Sequence, residues 1–146
     1  MADKTNDLEF NKSLVRRFLE VAVTKPDFDL FDELCGTDYV WHGDAGPTEK
    51  NEVRGLENFK EAVADFTKAL PDLKVTIEDI MAADDKVIVR IRERGTHTGA
   101  PFAGIQPSGN TVEWACIGIY RIEDRKIVEE WFNEDSLGIL RQLGGL

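Results

Sequence analysis

Asp135 stands four residues after Trp131, and along an extended chain side chains return to the same face every second residue. Ile127, Glu129, Trp131, Asn133 and Asp135 are therefore expected to share a face, with the indole and the carboxylate as neighbours. A carboxylate beside an indole in an apolar pocket loses hydration, its pKa rises, and it becomes a usable general acid or base near neutral pH. The same residue precedes Ser136-Leu137 and could equally be the N-cap of a closing helix. His97 continues the row Val87, Val89, Ile91, Glu93 and Gly95, which suits either a hydrogen-bonded structural ring or a polar group at the end of an apolar wall. Arg90, Arg92 and Arg94 fall on the opposite face, as a solvated or subunit-facing row or as a clamp for a substrate carboxylate. His42 follows Trp41 just before a glycine break and reads as an exposed ring. Trp114, Cys116, Gly118 and Tyr120 share a strand face as core or pocket wall.

Other chemistries lack their residues. GxGxxG and GxxxxGK[ST] are missing, and with them the phosphate-cradling loops. Ser13, Ser108 and Ser136 are the only serines, none within GxSxG. His42 and His97 have no metal-ligand spacing, and Cys35 and Cys116 form no CxxC. Neither a metal nor another cofactor is expected, and both thiols are expected to be free in a reducing compartment.

The elements that must position these residues are legible in the hydrophobic periods. Phe10, Leu14, Val15, Phe18, Leu19 and Ala22 recur on one helical face, predicting a helix over 7–24 with Asn6 and Glu9 as a capping box. Phe28, Phe31 and Leu34 predict a short second helix ending near Gly36. A brief strand over 39–42 is broken by the run from Gly43 to Pro47, and a polar loop follows. Leu56, Phe59, Val63, Phe66 and Leu70 predict a third helix, stopped by Pro71. The period then changes to two, predicting antiparallel strands over 73–78, 86–98, 111–122 and 126–133 and a short helix over 136–142. Residues 99–110, with three glycines and two prolines, make a longer connection than a hairpin needs and suggest a rim or lid. Helices first and an antiparallel sheet afterwards is an α+β pattern, and a strongly curved sheet with helices across its mouth encloses a pocket.

The 146 residues suffice for one domain, 1–146, with a core that needs no disulfide or metal. With 28 acidic against 18 basic side chains the net charge is −10, which repels nucleic acid and phospholipid surfaces, and no basic patch offsets it. Neither a long apolar run nor signal-peptide zoning is present, so the expected location is the cytoplasm. Apolar residues on both sides of the sheet, Ile117 and Ile119 against Trp114 and Tyr120, lead us to expect a homodimer through its outer face.

Several segments together resemble one family. Arg94-Gly95-Thr96-His97-Thr98-Gly99, Phe102-Ala103-Gly104-Ile105, Pro107-Ser108-Gly109-Asn110, the run from Arg125 to Trp131, Asp135 and Leu140-Arg141-Gln142-Leu143-Gly144 are similar to the SnoaL-like polyketide cyclase, or predicted ester cyclase, family. The leading helix and Asp38-Tyr39-Val40-Trp41-His42 fit as well. Asn110, where Lys is common, and Arg125, at a turn where Gly is usual, depart from the pattern.

The resemblance implies an NTF2-like (cystatin-like) cone, with three N-terminal helices on a curved antiparallel sheet and a short C-terminal helix. It also implies cofactor-independent ring closure of a polyketide methyl ester by intramolecular aldol condensation. Asp135 would be the acid/base residue, His97 and His42 would line the pocket, where a donor could stabilise an enolate or alkoxide, and Trp131 would shape its wall. The expectation is then an apolar cavity for a hydrophobic carbonyl compound, lined by Trp131, Trp114 and one or more of Phe59, Phe66 and Phe102. His97 and Asp135 would be its polar groups and the long loop part of its rim. A related lyase or isomerase step, a binding module without turnover and a hydrolase of the same fold are the alternatives.

Overall fold

Each helix carries one apolar stripe and each strand one apolar face, and both are buried when the helices lie in the hollow of a single sheet. The computed structural model describes residues 4–43 and 51–146, with side chains from residue 7 onwards. The elements run α1 (Lys4–Arg17), α2 (Phe28–Leu34), β1 (Cys35–His42), β2 (Glu52–Arg54), α3 (Leu56–Ala69), β3 (Lys74–Ala83), β4 (Lys86–Thr96), β5 (Thr111–Glu123), β6 (Lys126–Glu134) and α4 (Ser136–Leu143). The strands form one unclosed sheet in the order β2-β1-β6-β5-β4-β3. Its pairs are antiparallel except β1 with β6, which are parallel. This is the expected α+β class. The 39–42 strand proves longer, because Cys35 already pairs with Ile127, and β2 is too short to have left a periodic signal. Of the loop expected after His42, residues 44–50 lie outside the described residues.

Local chemistry sets several boundaries. The helix expected from residue 7 begins at Lys4, so Asn6 lies within its first turns rather than capping it. It does not run uniformly to 24, because Phe18–Ala22 widen into a π-helical turn in which the Val23 N–H reaches the Phe18 carbonyl at 3.1 Å. Such a turn admits one extra residue and re-aims the side chains around it. At α2 the Asp27 side chain caps by accepting from the Leu30 N–H at 3.1 Å. Gly144, at φ +87°, ends α4 in the left-handed conformation.

Phe18, Phe31, Tyr39 and Phe59 form the aromatic centre of the core, with Tyr39 and Phe59 4.7 Å apart and Phe18 and Phe31 5.4 Å apart. The sheet curves around this cluster, helped by a register shift in β3 between Ile77 and Asp79 and a second shift where β5 pairs β6.

Candidate active site

The second register shift decides which side chains enter the cone. Arg121 pairs with Glu129, but the next residue, Ile122, pairs with Ile127, leaving Val128 as an extra residue in β6. An extra residue reverses the inside/outside alternation beyond it. Ile127 is therefore inward and buried, as expected, but beyond the bulge Glu130, Phe132 and Glu134 point into the cone. Glu129 and Trp131 lie on the outer face. The expected single face from Ile127 to Asp135 is thus cut in two.

On β4 and β5 the alternation is unbroken, and the expected parity holds. Val87, Val89, Ile91, Glu93 and His97 are buried, while Arg90, Arg92 and Arg94 are exposed. Arg90 pairs with Asp79 at 2.7 Å and Arg92 with Glu78 at 3.0 Å on the outer surface. Trp114, Cys116 and Tyr120 are buried on the inner face of β5. Gly118 lies opposite Phe132, and a Cβ there would come within 3.0 Å of the Tyr120 ring and 3.2 Å of the Phe132 ring, so glycine makes room for both.

These elements leave a cavity of about 310 Å³ in the cone. Phe18, Leu19 and Val23 from the widened turn, Trp41 and Val53 from β1 and β2, and Phe59, Val63 and Phe66 from α3 give it an apolar wall. The long loop supplies Pro101, Phe102 and Ala103, and is part of the rim as expected. Phe102 and Ile105 exchange backbone hydrogen bonds across Ala103 and Gly104, both at positive φ, which sets the Phe102 ring against Phe66 at 5.6 Å. The loop starts at Gly99, where only glycine fits: a Cβ would collide with the Lys68 carbonyl at 1.7 Å.

The polar groups of the cavity are carboxyls. Glu93 is 6% exposed and its pKa is pushed up to about 8, first by burial and then by the neighbouring Glu134 charge. The Cys116 thiol, 3.5 Å from Glu93 Oε2, opposes that rise. The Trp114 indole draws it down too, although its N–H is buried without a partner in hydrogen-bond geometry. Glu130 is 3% exposed and rises to about 7 through burial, restrained by hydrogen bonds from Tyr39 and Tyr120. The Tyr39 hydroxyl donates to it at 2.6 Å. Donor atoms of Glu93, Cys116 and Glu134 lie within 4.8 Å of one another, near enough to converge on one cation. That closeness makes it costly to ionise both carboxyls together.

The residues singled out from sequence are distributed differently. Phe59, Phe66 and Phe102 line the cavity as expected. Trp114 stands behind that wall, edge-on to Phe66 at 5.9 Å. Asp135 is exposed and caps α4, accepting from the Gly138 N–H at 2.9 Å, so it is not the desolvated neighbour of an indole. Trp131 stacks on His42 on the outer face, with ring centroids 5.4 Å apart. His42 Nε2 is 2.7 Å from Glu129, and neither ring reaches the cavity. His97 is fully buried and pins the base of the long loop: its Nε2 bonds to the Ala100 carbonyl at 2.9 Å, and its backbone bonds to Asn110 and Gly109. Its Nδ1 is left buried without a partner. His97 and Asp135 are therefore not the polar pair of one pocket.

Glu93 has inward parity in the sequence, on the same face as His97 four residues on, and that alternation is the signal that could have found it. Glu130 and Glu134 were hidden by the bulge.

A small α+β cone whose sheet and helices enclose an apolar pocket with buried acids at its base is the NTF2-like architecture. The sequence matches the family SnoaL-like polyketide cyclase over residues 13–143, and the chain belongs to that family. Among solved structures, AclR, a candidate hydroxylase from Streptomyces galilaeus, is similar at 29% identity over 95% of this chain and 87% of its own, with a TM-score of 0.80. IdmH, a candidate polyketide cyclase from Streptomyces antibioticus, is similar at 27% identity over 92% and 98% of the two chains, with a TM-score of 0.79. A SnoaL-like candidate cyclase from Jannaschia sp. CCS1 shares the fold, with a TM-score of 0.88 at 20% identity over 100% and 99%. No curated protein matches the sequence. No described helix is long and apolar enough to cross a membrane.

Proposed function

We propose that this protein is a cofactor-independent enzyme that uses Glu93 as general base and acid on an apolar, carbonyl-bearing small molecule held in the cone. It closes a ring by intramolecular aldol condensation, or performs a related lyase or isomerase step. The observation that carries this reading is the Glu93 carboxyl, buried against an apolar cavity with its pKa raised to about 8. A base whose pKa lies near the working pH combines a useful ionised fraction with enough basicity to take a proton from carbon. Membership of a cyclase family and the likeness to IdmH support the reaction class.

In this reading the Glu93 carboxylate takes the proton from the carbon between two carbonyl groups. The resulting enolate forms a carbon–carbon bond to a ketone of the same molecule, held close by the aromatic wall. The alkoxide left on the ketone oxygen takes a proton from Glu130, whose pKa near 7 leaves part of it protonated at neutral pH; solvent then takes the proton from Glu93 and returns one to Glu130, so that both groups regain their starting states. Asp135, to which the resemblance gives the acid/base role, and His97, which it places on the pocket wall, are not among the residues that line the cavity, and in this reading the two glutamates carry the acid/base work.

Proton abstraction can be read without knowing the product. Exchange of the central C–H of a β-keto methyl ester with solvent deuterium, followed by NMR, is expected to be accelerated by the protein and to fall about 10²–10⁴-fold in Glu93→Gln. Wild-type exchange rates in a folded Glu93→Gln protein would overturn the assignment.

A further inference from the structure

Strand pairing sets Trp114 of β5 directly opposite Glu93 of β4, so the two side chains are cross-strand neighbours on the inner face of the sheet. Trp114 is 2% exposed, and its ring stands edge-on to Phe66 behind the cavity wall. The apolar body of the indole packs there, but its N–H does not find an acceptor: Nε1 is buried without a hydrogen-bond partner. A buried donor left unpaired is destabilising, and a phenylalanine ring would face an apolar wall without that penalty. Cys116, two residues further along the same strand face, already directs its thiol at Glu93 Oε2 from 3.5 Å. β5 therefore turns two donors toward one carboxyl, one engaged and one idle.

The protonation state of Glu93 accounts for the idle donor. A protonated carboxyl carries a donor of its own and accepts weakly, whereas a carboxylate only accepts and has sites for several donors. Ionisation of Glu93 is thus the event that gives the indole N–H a partner. Neither Trp114 nor Cys116 is among the described residues that line the cavity, while Glu93 is. Donors held behind the carboxylate leave its cavity side to the substrate.

We propose that Trp114 is the positioning residue of this site: its indole N–H bonds the Glu93 carboxylate from behind, holding it ionised and aimed into the cone. This rests on Glu93 being the general base of the proposed reaction. Trp114 touches no substrate and moves no proton; it sets how much of Glu93 stands ready to accept one at neutral pH. The balance of groups around Glu93 agrees in sign. Burial, then Glu134 and Glu130 of β6, push its pKa up to about 8, against which Cys116 and Trp114 of β5 draw it down. Tyr120 of β5 and Asp65 of α3 line the same cavity, and on β3 the partner of Glu93 is the uncharged Val75.

The chain has three tryptophans, so labelling the indole nitrogens of the full chain with nitrogen-15 resolves Trp114 once Trp41→Phe and Trp131→Phe have identified the other two signals. Between pH 6 and pH 9 the Trp114 N–H proton is expected to move downfield with a midpoint near pH 8, and to stay in place in Glu93→Gln. The consequence for the base is read in Trp114→benzothienylalanine, whose bicycle keeps the outline of indole with sulfur in place of the N–H. Deuterium exchange of the β-keto methyl ester, corrected for buffer background, should fall about tenfold at pH 7, and the deficit should narrow toward pH 9 because the variant's carboxyl ionises later. A purely structural role would lower the rate by the same factor at every pH.

A Trp114 signal that stays fixed through the titration, or moves equally in Glu93→Gln, overturns the inference. So does an exchange deficit that is absent or independent of pH in the folded isosteric variant. The wild-type spectrum keeps the inference falsifiable if that variant does not fold. Exchange with a fixed indole signal refutes the role of Trp114 alone, and a titrating indole signal without exchange refutes Glu93 as the base while the hydrogen bond stands.

Discussion

Replacing Glu93 by Gln should make the protein more stable at neutral pH than at acid pH relative to wild type, because the native fold penalises the charged form of this group. The carboxyl titrates at about 8 in the folded chain against 4.5 for an ordinary glutamate, chiefly through burial and then the Glu134 charge. Below pH 4.5 both the folded and unfolded chains carry the proton, and there is no penalty. As pH rises the unfolded chain releases it while the folded chain retains it, so stability falls until the folded group also ionises near pH 8. At about 1.4 kcal/mol per pH unit the cost is about 1 kcal/mol at pH 5 and about 3 kcal/mol at pH 7. Gln has no such proton, and any packing or hydrogen-bond loss it brings is the same at both values. The stability difference, variant minus wild type, should therefore move by about 2 kcal/mol in the variant's favour between pH 5 and pH 7. With an m-value of about 2 kcal/mol/M, that is a relative shift of about 1 M in the urea midpoint. Urea unfolding of both proteins at pH 5, 6, 7 and 8 checks it. Parallel midpoint profiles across that range would refute the claim that the folded protein holds Glu93 protonated.

Asp135→Asn should retain both exchange activity and thermal stability, since Asn caps a helix about as well as Asp and the side chain stands outside the cavity. A large loss of exchange in a stable Asn variant would return the acid/base role to Asp135. The outer face of the sheet carries a cross-strand row of Met81, Ile88, Ile119 and Trp131, with Met81 58% exposed and nearby Ile117 55% exposed. Covering that row favours association of two copies, so sedimentation at micromolar concentration should give twice 16.4 kDa, and Ile117→Glu should reduce it to 16.4 kDa. A wild-type mass of 16.4 kDa would refute the dimer.

Local pattern determined much of this protein. The period-3.6 stripes placed the helices, the alternation of β4 and β5 put Glu93 and His97 inside and the arginines outside, and the length and composition of residues 99–110 marked a rim. Each of these follows from a rule acting within a few residues. The SnoaL-like segments added the cone itself.

Only tertiary structure decided that Glu130 and Glu134 join Glu93 in the cavity. The extra residue at Val128 is set by how β6 must bend against β5, and no residue type at that position announces it. That one residue sends Trp131 out to stack on His42 and brings Glu130 and Glu134 in. Asp135 could be read from sequence as cap or catalyst, and in the structure its side chain is the cap of α4. The raised pKa values of Glu93 and Glu130 are likewise properties of the closed fold: desolvation comes from side chains distant in sequence, and two carboxyls become costly to ionise only when the sheet brings them together.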